Sequence, residues 1–139
     1  MISQAEVYGA VKDAVSAAGA SAVYYQQTPE EVPTDQWGRI LPYVILALRV
    51  PRGLEDRPVS EADLLDARIF RLQTQCVAAT PEVLMDMTDA ISVALTDLRI
   101  GGGVLRRAGD EEPTDPYLVD TEVHPYRPYA PMFWRIAAQ

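Results

Sequence analysis

The 139-residue chain contains one cysteine (Cys76), one histidine (His124) and one lysine (Lys12). A single cysteine cannot form an internal disulfide, so the sequence is not built for an oxidising compartment. With a single histidine, any Ser-His-Asp or Cys-His arrangement has to use His124, which sits between Val123 and Pro125 in a predicted loop. The same scarcity rules out a zinc site without several carboxylates, and no acidic run has calcium-loop spacing. Long apolar runs are missing too, since "YVILAL" at 43–48 is far too short to cross a bilayer. Positive charge is scarce: 12 Lys and Arg stand against 20 Asp and Glu, a net charge of −8. That balance argues against nucleic acid or an anionic membrane as a tightly held partner. The segment before "AVSAAGASA" (14–22) has no basic start and carries Glu6 and Asp13, so no export signal is expected. These absences point to a soluble cytoplasmic chain, not an enzyme, with no catalytic, cofactor-binding or metal-binding residue.

What is present is ordinary for a globular protein: 48% of residues are apolar and 23% charged. The length fits one domain over residues 1–139 with a core of its own. All basic residues but Lys12 are arginine, which fits GC-rich coding or a use for bidentate contacts.

Ser3 and Glu6 have capping-box spacing, with Ile2 and Val7 placed as a hydrophobic staple. A helix is predicted from about Gln4 to Ala18, with a stripe of Val7, Val11, Ala14, Val15 and Ala18 and a stop at Gly19. "SAVYYQQ" (21–27) reads as a short strand, and "TPEEVPTDQWGR" (28–39) as a long mobile loop. "LPYVILALRV" (41–50) is apolar almost throughout, which predicts a strand covered on both faces. The acidic stretch 51–66 reads as a second loop, with a helical turn at 60–65.

Residues 67–78 alternate. Phe70, Leu72, Thr74, Cys76 and Ala78 share one face, while Arg71, Gln73 and Gln75 take the other. Cys76 then reads as a small buried hydrophobe. Thr80 caps the following helix with Pro81 in its first position. That helix is expected to run to about Arg99, with Leu84, Met87, Ile91, Ala94, Leu95 and Leu98 inside and "GGG" (101–103) stopping it. Glu82, Asp86, Asp89 and Asp97 fall opposite, with Val93 among them. An acidic turn at 109–116, a Tyr- and Pro-rich extended arm or set of irregular strands at 117–131 and an alternating strand at 132–137 complete the chain. This order predicts an α+β fold. Two main helices flank a mainly antiparallel or mixed sheet of four to five strands, with Val44, Leu46, Phe70, Leu72, Leu84, Met87, Ile91 and Leu95 as core.

Contact surfaces favour Trp, Tyr and Arg. Trp37, Arg39, Tyr117, Tyr126, Arg127 and Tyr129, together with Val93 on the acidic helix face, are therefore candidate contacts with a partner. Acids gather in the loops: Glu30, Glu31 and Asp35; Glu55 and Asp56; Asp110, Glu111 and Glu112.

The run "DARIFRLQTQCVAATPEVLMDMTDAISVALTDL" (66–98) resembles tail terminator proteins of long-tailed phages, especially those of actinobacteria. "GGGVLRRAGDEEPTDPYLVD" and "YAPMFWRIAA" look like that family's C-terminal end, and "PYVILAL" fits its layout. The resemblance implies a virion protein of the head–tail junction, assembled in the host cytoplasm. It would form a homo-hexameric ring on the head-proximal end of the tail tube, stop polymerisation of the major tail tube protein and present a surface to head completion proteins. DNA would pass through the ring without tight binding, and the loop acids above are the candidate lumen lining. A related head–tail joining or neck protein would share the fold. A small metal-dependent hydrolase using Asp86 and Asp89 is a third, more distant reading.

Overall fold

Both helices begin where the sequence places their caps. In α1 (Gln4–Ala17) the Glu6 N–H donates to Ser3 Oγ (3.1 Å) and the Ser3 N–H donates back to Glu6 Oε2 (3.0 Å). In α2 (Pro81–Leu95) the Val83 N–H donates to Thr80 Oγ1 (3.3 Å), with Pro81 opening the first turn. These bonds satisfy backbone donors that a helix start leaves without partners. Gly19, just past α1, has φ +117°, the left-handed exit predicted for it.

The computed structural model describes residues 3–27, 29, 31–49, 68–109, 112–113, 115, 117–122 and 127–138. The expected Ile2 staple, the 60–65 turn and His124 lie outside them. The strands are β1 (Ala22–Tyr25), β2 (Tyr43–Arg49), β3 (Arg68–Val77), β4 (Arg99–Ile100), β5 (Gly103–Arg107), β6 (Leu118–Asp120) and β7 (Arg127–Ala138). They form one sheet in the order β1-β2-β3-β7-β5-β4, with β6 also paired to β7. Only β1–β2 is parallel; the other pairs are antiparallel. The fold is α+β, as expected, but its sheet has seven strands rather than four or five.

The additional strands come from two segments whose patterns are weak. Helix α2 ends at Leu95, four residues earlier than predicted, because Thr96 turns extended and Asp97 adopts φ +62°. "GGG" therefore stops no helix. Gly101 and Gly102 form the two-residue turn of a β4–β5 hairpin, in which Ile100 pairs with Gly103. The arm at 117–131 supplies β6 and the first half of β7.

The 12-residue β7 pairs along its length with β3, and on its other edge with β6 at one end and β5 at the other. Its two prolines fall where no ladder donor is needed. Phe133 faces this second edge, since its C=O accepts from the Ala108 N–H (2.8 Å). By alternation Pro131 points the same way, into the gap between β5 and β6. Pro128 lies just past the end of β3.

Both helices cover one face of the sheet. Val7, Val11 and Val15 of α1 and Leu84, Met87, Ile91 and Leu95 of α2 pack on Val44, Leu46, Phe70, Leu72, Trp134 and Ile136. All eight predicted core residues are buried, each such side chain contributing about 1.5–3 kcal/mol. Trp134 Nε1 donates to the buried Thr74 Oγ1 (3.1 Å), so this buried polar pair satisfies itself. The strand β2 is covered fully on one face and in part on the other: Val44, Leu46 and Leu48 are buried beneath the helices, and on the opposite face Tyr43 is buried while Ile45 and Ala47 are half-exposed.

Candidate functional site

The segment between β1 and β2 is not the irregular loop its composition suggests. Residues 33–41 close into a small hairpin: Thr34 bridges Ile40, the Leu41 N–H donates to the Pro33 C=O (2.9 Å), and the Asp35 N–H donates to the Arg39 C=O (2.8 Å). The Asp35 carboxylate is the hub, accepting from the N–H groups of Trp37 and Arg39 (2.9 Å each) and from Arg39 Nε (3.0 Å). Desolvation works to raise this carboxyl's pKa. The two backbone donors and the guanidinium outweigh it and hold the pKa below its usual value. Gly38, at φ +79°, lets the chain turn back. The tip of the turn presents Trp37, 69% exposed, with the Arg39 guanidinium 4.9 Å from its ring centre. An aromatic on a preordered turn loses little entropy when it docks.

The second surface is the face of the sheet that no helix covers among the described residues. At one end a cleft of about 470 Å³ is lined by Tyr43, Gln75, Val77, Asp120, Arg127 and Tyr129, among others. Burial pushes the Tyr43 hydroxyl's pKa up, and the hydrogen bond from Arg127 only partly offsets this. At the other end lies a row of arginines that sequence reading missed. Strand register sets Arg49 opposite Arg71, Arg71 opposite Arg135, and Arg135 opposite Arg106. One arginine therefore sits on each of four adjacent strands, β2, β3, β7 and β5. The signal that Arg71 faces outward was present in the alternation of β3. That its register partners on β2 and β7 are also arginines is something a single sequence does not specify.

The remaining candidates divide. Val93 is 81% exposed, on the same outward stripe of α2 as the exposed Glu82, Asp86 and Asp89. Tyr117 is half-buried against the core, and Tyr129 and Arg127 line the cleft. Among the loop acids, Glu31 is exposed and Asp35 holds its hairpin. Glu112 is drawn into the fold. Its carboxylate accepts from Arg107 Nε (2.7 Å) and Nη2 (2.6 Å), and from the Phe133 N–H (3.2 Å) in the gap between β5 and β6. The same Arg107 donates to Ser92 Oγ (3.1 Å) and lies over the Trp134 ring at 5.6 Å, tying β5 to α2. Hydrogen bonding to Glu112 raises the guanidinium's pKa. Glu30, Glu55, Asp56, Asp110, Glu111 and Tyr126 lie outside the described residues.

Cys76 is fully buried, and desolvation raises its thiol pKa to about 12. It stays protonated at neutral pH. Among the described residues no group of three or more His, Cys, Asp and Glu is placed to hold a metal, and no helix is long and apolar enough to cross a membrane.

Together these features define an α+β protein in which, among the described residues, two helices lie on one face of a mixed sheet. No protein-family model matches the chain, and no curated protein matches it.

Proposed function

We propose that the chain is a tail terminator protein of a long-tailed phage, a ring subunit that caps the head-proximal end of the tail tube and stops its growth. The Trp37 tip carries this reading. A large aromatic 69% exposed, stacked with Arg39 and pinned by Asp35, has the composition and rigidity of a docking hot spot rather than of a solvated loop. The layout of the fold, two helices against a mixed sheet, supports the reading because the resemblance to that family implies a mixed sheet flanked by helices. The net charge of −8 is suited to a ring through which DNA slides without being held.

The test is tube assembly. The chain is added to polymerising tail tube protein of the same phage, and tube lengths are measured by electron microscopy. The expected result is arrest at substoichiometric amounts, with Trp37→Ala requiring at least about tenfold more protein. An unchanged length distribution with the wild-type chain would overturn the reading. If the chain instead bound only the head side of the junction, it would be the related neck protein.

A further inference from the structure

We propose that the cleft on the uncovered sheet face binds a peptide segment through one basic side chain, with Asp120 and Glu122 meeting its charge and Arg127 donating to a backbone carbonyl of the same peptide. Strand register assembles the site. Tyr43 stands opposite Val77, Val77 opposite Tyr129, and Asp120 opposite Arg127. Tyr43, Val77 and Tyr129 thus form a row across three strands, with the Asp120–Arg127 pair beside it. The cleft volume of about 470 Å³ falls in the range of sites that hold a small ligand. It accommodates one long side chain and the peptide groups on either side.

Arg127 carries the inference. Its Nε is buried and has no hydrogen-bond partner among the described residues, although the guanidinium also donates to the Tyr43 hydroxyl. A buried donor without an acceptor is costly, and an acceptor brought from outside the chain removes that cost. Charge decides which acceptor fits. The lining holds two carboxylates against one guanidinium, in a chain of net charge −8. Burial raises the pKa of Tyr43, so its hydroxyl stays protonated and adds no charge. A carboxylate or phosphate ligand would serve Arg127 Nε but would bring a third negative charge beside Asp120 and Glu122. A neutral carbonyl serves the same N–H without that repulsion and leaves the surplus negative charge for a cation. The Glu122 N–H donates to Asp120 Oδ1 (3.0 Å), which fixes that carboxylate in place. Ile45, Val77 and Val119 supply apolar lining for the methylene stem of a lysine or arginine, whose charged head reaches the carboxylates. A peptide carries both groups at once, a carbonyl and, a few bonds away, a basic side chain.

The inference stands apart from the tail reading, and its test uses the full chain alone. Three probes are titrated into the isotope-labelled protein while backbone amide shifts are followed by nuclear magnetic resonance: acetyl-Gly-Arg-Gly-amide, acetyl-Gly-Glu-Gly-amide and inorganic phosphate. The arginine peptide is expected to shift the amides of Gln75, Val77, Asp120 and Tyr129 with a Kd of about 1 mM or tighter. It should bind at least about tenfold tighter than the glutamate peptide. Asp120→Asn with Glu122→Gln is expected to weaken the arginine peptide at least about tenfold. An asparagine oxygen still accepts from the Glu122 position's N–H, so this variant keeps the turn. Arg127→Lys removes the Nε donor, keeps the positive charge and should also weaken binding about tenfold. Circular dichroism checks that both variants are folded, and the comparison of probes on the wild type needs neither. No shift at these amides with the arginine peptide would overturn the proposal and leave Arg127 Nε to water. Phosphate or the glutamate peptide binding as tightly would overturn it too, because Arg127 would then act as an anion clamp. Arginine-peptide binding that neither variant weakens would place the contact elsewhere and sink the site.

Discussion

Along β3, Phe70, Leu72, Thr74 and Cys76 point towards the helices and are buried, while Arg71, Gln73 and Gln75 point the other way and keep contact with solvent. The same ten residues thus build two surfaces of different kinds. The inner one is closed. It is apolar, and its Thr74–Trp134 hydrogen bond leaves nothing for a partner to satisfy. The outer one is polar: Arg71 stands opposite Arg135 on the neighbouring strand, and the two glutamines beside it are half-exposed. The comparison separates the face that holds the fold from the face that keeps contact with solvent.

Breaking the inner face should have the largest effect. Trp134→Ala is expected to cost about 3–5 kcal/mol and Ile91→Ala about 2–5 kcal/mol, measured by denaturant titration. A loss near zero at both would mean that the helices do not cover this face. Next comes the joint between the two faces. Glu112→Ala strips a bidentate partner from Arg107 and leaves the Phe133 N–H without its acceptor, for an expected loss of about 2 kcal/mol. Thr80→Ala removes the cap of α2 and should cost about 1 kcal/mol. On the outer face, Arg71→Gln should leave stability within about 0.5 kcal/mol of wild type. A loss above about 2 kcal/mol there would show that the arginine row is part of the scaffold and erase the distinction between the faces.

The smallest effect is local and depends on pH. An unfolded aspartate titrates near pH 3.9, and the Asp35 carboxyl is held lower in the folded tip. Its stabilisation is therefore complete above about pH 4 and is lost as the pH falls through the lower folded value. Trp37 fluorescence should change in this acid range while far-ultraviolet circular dichroism remains native. A Trp37 signal that moves only with global unfolding would show that the Asp35 hairpin is not an independent unit.

The sequence by itself determined the elements whose signals are local. The Ser3–Glu6 box, the Thr80-Pro81 start, the left-handed Gly19 and the alternation of β3 each depend on neighbours within a few residues, and the eight core positions followed from those periods. Tertiary structure decided the rest. Helix α2 ended at Leu95 because the next residues pair with β5, a contact that helical periodicity cannot report. Glu112 became a buttress because β7 leaves a backbone N–H between two short partner strands. The Asp35 hairpin was hidden in a stretch whose prolines and acids read as loop. The arginine row was invisible for the same physical reason. Side-chain alternation fixes which face a residue takes, but pairing register, set by contacts between segments far apart in sequence, decides which residues stand side by side.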